Sequence, residues 1–274
     1  MDLSNATLAL LLTAFAGLST GIGSAIAFFA RTTNTKLLTV SLGFSAGVMI
    51  YISFVEIFAE AKISFIEKFG EFNGTLYTLT SFFGGILLIA IIDKFIPSYE
   101  NPHEMHAVEE MNKSKKIMKA NKLYRMGILT AVAVAVHNFP EGIATFMTVL
   151  HNPTIGVAIA VAVAIHNIPE GIAVSVPIYY ATGSRRKAFF FSFLSGLAEP
   201  VGAILAYFLL VPFLAADNSV AIMASTMAAV AGIMVFISLD ELLPSAEEYG
   251  EHHWAIYGLI GGMVIMAVSL LLLN

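Results

Sequence analysis

The sequence predicts an all-α integral membrane protein of eight transmembrane helices arranged as a 3+2+3 inverted repeat. Three observations carry that expectation: a composition of 58% hydrophobic and only 12% charged residues, a series of long apolar runs, and an internal duplication. At 274 residues and a mean hydropathy of +0.82, the chain is too apolar for a soluble domain of its size. A bilayer core of about 30 Å needs about 20 helical residues, and each run reaches that length. Strand-like alternation over about ten residues, the mark of a membrane barrel, is absent.

The runs follow one another in order. The first, residues 6–30, comes after Asp2 with no basic segment ahead of it, so it reads as a spanning helix and not as a cleaved signal peptide. The second, 37–59, carries Met49 mid-helix and ends beside Glu56 and Glu60; the third, 75–97, contains Gly84-Gly85. Between Ser98 and Lys122 the chain is polar, first acidic with His103 and His106, then rich in lysine. This stretch is expected to form a cytoplasmic loop at about 98–124 without a packed core. The fourth and fifth runs, 126–148 and 155–181, hold the duplicated motif. The sixth, 188–211, contains Glu199-Pro200; the seventh, 218–243, ends in Asp240-Glu241; and the eighth is 253–273. All other connections are short, so residues 1–274 are expected to form a single domain.

Basic residues set the orientation, because positively charged loops stay cytoplasmic. An external N-terminus places Arg31, Lys36, the basic residues from Lys94 to Arg125, and Arg185, Arg186 and Lys187 inside, leaving Lys62 and Lys68 outside. Both termini are therefore expected to be extracytoplasmic, with the chain in the cell membrane. The net charge of −5 and the lack of a basic face give no reason to expect a nucleic-acid partner; the lipid bilayer is the expected surround. There is no cysteine, which removes disulfides and thiolate ligands and disfavours a Cu(I) or iron–sulfur site.

Residues 131–144 (AVAVAVHNFPEGIA) recur as 160–173 (AVAVAIHNIPEGIA), differing only at Val136/Ile165 and Phe139/Ile168. Adjacent spanning helices run in opposite directions, so the two copies are antiparallel. The flanks repeat too: residues 46–61 align without gaps to 231–246, Gly17-Leu18 resembles Gly196-Leu197, and Gly84-Gly85 resembles Gly261-Gly262. Helices one to three thus map onto six to eight in opposite directions, and such inverted repeats place a substrate site near the midplane.

Helical spacing sets His137 and Glu141 one turn apart on a common face with Asn138 beside them, and does the same for His166, Asn167 and Glu170. An ionisable side chain at mid-bilayer is costly and needs a compensating partner. A lone histidine would be read as a hydrogen bond to a neighbouring helix; two copies of His-x-x-x-Glu, each with an intervening proline, point to a metal ion. Two imidazoles and two carboxylates form a nitrogen and oxygen set suited to Zn²⁺, Fe²⁺, Mn²⁺ or Co²⁺, with Cd²⁺ able to follow. Pro140 and Pro169 each withdraw an amide from a carbonyl four residues back, at Val136 and Ile165. Glu199 is a further mid-helix carboxylate whose repeat mate is Thr20. It reads either as a structural hydrogen-bonding group or as a ligand of a second, adjacent ion with Asn138 and Asn167, Glu141 and Glu170 bridging the pair. Met49 is a candidate soft ligand lining the site. Glu56 and Glu60 read as a solvated rim or as a vestibule concentrating cations.

The paired HNxPEG motifs, the 3+2+3 pattern, the His-containing loop after helix three and the stretch Asp240-Glu241-Leu242-Leu243-Pro244 together resemble the ZIP (Zrt/Irt-like) metal transporters, most closely bacterial members, over the whole chain. That resemblance implies an eight-helix permease, usually a homodimer, that moves divalent transition metals into the cytoplasm with broad selectivity and no organic cofactor. It implies one metal site at His137, Glu141, His166 and Glu170, and a neighbouring one at Asn138, Asn167 and Glu199 sharing the glutamates. Many eukaryotic members carry His-Ser and His-Glu where this chain has His137-Asn138 and His166-Asn167, so zinc exclusivity does not follow. The competing expectation is a membrane-embedded metal-dependent hydrolase with Glu141 or Glu170 as base, although no His-Glu-x-x-His arrangement is present.

Overall fold

A computed structural model describes residues 3–29, 35–94, 116–209, 212, 219–249 and 252–273. They form eight helical rods. These are α1 (Leu3–Phe29), α2 (Thr35–Ile52, continued by Ser53–Ile57 and Phe58–Phe69), α3 (Glu71–Lys94), α4 (Lys116–His151) and α5 (Pro153–Thr182). They continue with α6 (Arg185–Gly196 and Ala198–Leu209), α7 (Ser219–Ile237, continued by Ser238–Leu242 and Leu243–Tyr249) and α8 (His252–Leu273). Seven of the helices are long and apolar enough to cross a membrane among the described residues. The remaining rod, α4, is 36 residues long. His103 and His106 lie outside the described residues.

The helices overrun the apolar runs where good helix formers continue them. In α2 the helix goes on past residue 59 to Phe69, because Glu60, Ala61, Lys62 and the following residues favour helix and bury Ala61 and Phe65 on one face. Gly70, at φ +79°, then turns the chain out, its amide bonding the Ile66 carbonyl at 2.9 Å. Helix α4 starts at Lys116, ten residues ahead of its apolar run, so helical backbone reaches into the polar segment. Hydropathy marks the part of a helix that meets lipid, not the whole helix.

Three departures from regular helix were not legible in the hydropathy. Ser53–Ile57 and Ser238–Leu242 are single π-helical turns inside α2 and α7, each closed by an amide reaching back to the serine carbonyl. Helix α6 is interrupted at Leu197, directly after Gly196. Pro200 lacks the amide that the Gly196 carbonyl would accept, and that carbonyl faces Gly17 of α1.

Two four-helix groups are evident from the contacts. In one, α1 and α6 flank the α4–α5 pair; in the other, α2 packs on α8 and α3 on α7. The groups meet where α2 crosses α5 and α4 crosses α7. Burial ranks the elements: 67% of the spanning window of α5 is buried, against 22% for α3 and 28% for α8, so α5 is central and the other two face the surround. Their exposed Phe83, Leu87, Ile260 and Val264 suit a lipid contact. Hydroxyls within the apolar interior are satisfied locally, as Thr13, Thr78 and Ser238 each bond the carbonyl four residues back at 2.8 Å.

The turn between α4 and α5 is a single residue, Asn152, and fixes the register of the duplicated motif. Asn152 caps α5, its Oδ1 accepting the amides of Thr154 and Ile155 at 3.1 and 3.3 Å, and Pro153 opens the helix. At 1.5 Å per residue, the His137 and His166 backbones both lie about 20 Å from this turn, at matching depth.

Small residues let these helices approach. A β-carbon on Gly142 would collide with the Glu199 carbonyl, and one on Gly171 with the Thr20 carbonyl. The substitution Gly171→Leu is therefore expected to lower the melting temperature of the purified protein in detergent by several degrees, an overpacking cost of about 1–3 kcal/mol. Gly84→Ala, where a β-carbon meets nothing within 4 Å, is expected to leave it unchanged or raise it.

Candidate metal centre

The centre is built where the α4–α5 hairpin is enclosed by α1, α2 and α6. Asn138, Glu141, His166, Asn167, Glu170, Glu199 and Met49 are all at most 1% exposed. A helical side chain tilts toward its own N-terminus, so Glu141 on α4 leans away from the hairpin turn while His166 on α5 leans toward it. The two meet: His166 Nε2 lies 2.8 Å from Glu141 Oε1. The other imidazole of the duplicated motif belongs to His137, whose backbone sits on α4 at the matching depth and whose side chain lies outside the described residues.

The second motif copy is anchored on both sides. Asn167 Nδ2 donates to the Ala16 carbonyl of α1 at 3.0 Å and to Glu199 Oε1 of α6. Glu170 accepts a hydrogen bond from Ser45 Oγ of α2 at 3.1 Å. In the first copy, Asn138 Nδ2 donates to the Ser195 carbonyl of α6 at 3.3 Å. Glu199 stands in the first turn after the interruption of α6, within electrostatic range of both Glu141 and Glu170. Met49 lies one turn from Ser45 on α2, fully buried in the main apolar cluster.

These hydrogen bonds use the donors and leave acceptors over. Glu141 Oε2, Asn138 Oδ1, Asn167 Oδ1 and Glu199 Oε2 are buried without a hydrogen-bond partner. A buried polar atom without a partner is expensive, and a buried carboxylate more so, which is the electrostatic signature of a place for a cation. Among the described residues no three His, Asp or Glu side chains stand as a ready-made metal cage. His166 and Glu141 face one another, as do Asn167 and Glu199, so an ion would enter by replacing these pairings. The oxygen and imidazole donors fit a borderline divalent cation; calcium would want oxygen alone.

Hydropathy and motif reading did not find Ser45, the Ala16 and Ser195 carbonyls, or the π turns. Serine in an Ala/Gly-rich helix carries no signal of its own, and backbone acceptors carry none at all. The π turns do share one: Ile52-Ser53-Phe54-Val55-Glu56 matches Ile237-Ser238-Leu239-Asp240-Glu241.

These features define a class, the multi-pass helical membrane protein whose ionisable donors are gathered between helices and away from lipid. The chain belongs to the ZIP zinc transporter family, which matches it over residues 93–270. It is 61% identical over 269 residues to the zinc transporter ZupT of Lysinibacillus sphaericus (strain C3-41), covering 98% of each chain. It is likewise 61% identical over 271 residues to the zinc transporter ZupT of Oceanobacillus iheyensis, covering 99% of this chain and 100% of that one. Over 264 residues it is 61% identical to the zinc transporter ZupT of Streptococcus mutans serotype c, covering 96% and 97%. This is a family of transporters and not of enzymes, which sets aside the membrane-embedded hydrolase.

Imidazole must be neutral, and carboxylate ionised, before either ligates a metal. Zinc affinity measured by calorimetry on the purified protein is expected to fall as the pH is lowered through the ordinary histidine range near 6.5. Constant affinity from about pH 7.5 to pH 5 would exclude a histidine ligand.

Proposed function

We propose that the chain carries zinc across the cell membrane into the cytoplasm, binding it at the centre formed by His137, Glu141, His166 and Glu170. The observation that carries this reading is the set of buried acceptor oxygens without donors around the His166–Glu141 pair, on Asn138, Asn167, Glu141 and Glu199. Asn138, Asn167 and Glu199, with Glu141 and Glu170 as bridges, supply a second, adjacent position and make the centre binuclear. Met49 lines it from α2. The mixed nitrogen and oxygen donor set extends the range of cargo to Fe²⁺, Mn²⁺, Co²⁺ and Cd²⁺. The relatives' names support zinc as cargo.

The proposed scaffold is one domain, a 3+2+3 inverted repeat with both termini extracytoplasmic and the 98–124 segment cytoplasmic. Several contacts support it by exchanging in pairs. Gly142 against Glu199 and Gly171 against Thr20 are the same contact in the two halves, as are Gly202 against Phe139 and Gly23 against Ile168. Gly17 and Gly196, repeat mates themselves, face each other's carbonyls. The π turns also occupy mated positions. The lysine and arginine distribution supports the orientation. The family resemblance extends the proposal to a homodimer.

Zinc uptake by the purified protein in liposomes tests the transport reading. His166→Ala or Glu170→Ala is expected to abolish uptake while the protein stays inserted and folded. Each removes several kcal/mol from a site worth on the order of 10 kcal/mol, judging from structural zinc sites. Full flux through either variant would exclude the centre. Alternating access has its own test, made direct by the absence of native cysteine. Ala59→Cys and Ser245→Cys, near the two mouths, are expected to react with impermeant thiol reagents from opposite faces, and zinc is expected to change the two rates in opposite senses. Labelling of both from one face would overturn the topology.

A further inference from the structure

A cleft opens between α2 and the end of the α4–α5 hairpin, lined by Glu56, Glu60, Thr148, His151, Asn152 and Ile155, with Met227 of α7 at its side. Within it, His151 Nε2 and Glu60 Oε1 are 2.8 Å apart, with side chains 41% and 33% exposed. Glu56 stands one turn below Glu60 on α2.

Polar side chains lie on the same two helices between the cleft and the buried centre. On α2, Ser45, Met49 and Ser53 share a face at helical spacing from the hydrogen bond with Glu170; the π turn that begins at Ser53 resets the register, and Glu56 and Glu60 beyond it line the cleft. On α4, Glu141, Thr145, Thr148 and His151 share a face from the contact with His166 upward. Between the ends, Thr145 Oγ1 and Ser53 Oγ are buried with no hydrogen-bond partner. Most buried hydroxyls among the described residues bond a carboxylate or a carbonyl, as Ser45 and Thr148 do; Thr20, Thr39, Ser53 and Thr145 are the exceptions, and the last two stand on the α2 and α4 faces that run between the centre and the cleft, where an occupant able to use a neutral oxygen would satisfy them.

We propose that Glu60 and His151, with Glu56 beneath them, form a capture site for a hydrated divalent transition cation at the head of a polar file that passes Ser53 and Thr145 to the central carboxylates. The inference rests on the transport reading above. Imidazole beside carboxylate selects transition cations over calcium and magnesium, which take oxygen alone. Two protein ligands, Glu60 and His151, with the Glu56 charge beneath them, leave the remaining positions to water, so the ion is held weakly and exchanges quickly, as a site that hands its cargo on requires. The His151–Glu60 contact holds both ligands in the mouth before the ion arrives, and the ion replaces it.

Glu60→Gln decides between a ligand and a mere clamp, because glutamine keeps a hydrogen bond to His151 and loses the charge. In liposomes, Glu60→Gln and His151→Gln are each expected to raise KM for zinc about tenfold, with a smaller change in maximal rate. Glu67→Gln, exposed on the same helix outside the cleft, is expected to match the wild type. An unchanged KM in both cleft variants overturns the capture site. Failure of the wild-type protein to carry zinc would overturn the transport reading instead, and the capture site is then decided by binding alone. Micromolar zinc is expected to slow labelling of His151→Cys by an impermeant thiol reagent, and Glu60→Gln in the same chain to remove that protection. Labelling indifferent to zinc, or protection that survives Glu60→Gln, overturns the capture site whatever the flux.

Discussion

Ionisable and amide side chains buried in an apolar bundle must meet one another, and the rest of this structure is arranged so that they do. His166, Glu141, Asn167 and Glu199 have no water to turn to, and each is placed within reach of another. The tight α4–α5 turn sets the two motif copies at equal depth. The glycine after each motif glutamate allows α6 and α1 to press their backbones against the hairpin, bringing Glu199, the Ser195 carbonyl and the Ala16 carbonyl to the amides that need them. Hydrophobic burial holds the helices in the bilayer without choosing between rotations, since lipid is as apolar as leucine. The polar centre makes that choice.

In the proposed inverted repeat the framework is nearly symmetric and the chemistry is not. Glycine contacts and π turns come in mated pairs, yet Glu199 answers to Thr20, and Ser45, which holds Glu170, answers to Val230. A carboxylate on one half and a hydroxyl on the other give the two sides of the centre different donor sets. Such inequality suits a device whose two ends face solutions of different composition. Helical geometry also differs from place to place: the π turns lie beyond the buried centre on α2 and α7, each closed by an amide reaching back to its serine carbonyl.

Much of this was legible before the coordinates, for physical reasons that also explain what was not. Hydropathy counts apolar surface, so it found the spanning helices; it does not count residues per turn, so the π turns and the interruption at Leu197 went unseen. Pro200 and Gly196 together did signal that interruption. The duplicated His-Asn-x-Pro-Glu-Gly identified the buried donors because ionisable groups are rare in such surroundings, and duplication gave their pairing. Ser45 was invisible, since a serine in a small-residue helix usually bonds its own backbone, as Ser19 does to Ala16. Its role depends on a helix crossing far away in sequence.

The single-residue turn at Asn152 also bears on how the chain is made. Helix α4 emerges from the ribosome with His137, Asn138 and Glu141 near its middle, and on insertion scales a charged residue there costs about 2.5–3.5 kcal/mol. Taken alone it is a poor substrate for the translocon. Helix α5 follows after one capped residue, bringing His166 and Asn167 at the matching depth, so the two segments enter lipid most cheaply as a preformed hairpin whose polar faces shield one another. The His166–Glu141 contact at the proposed centre is thus also one that lowers the cost of bringing these two segments into lipid together.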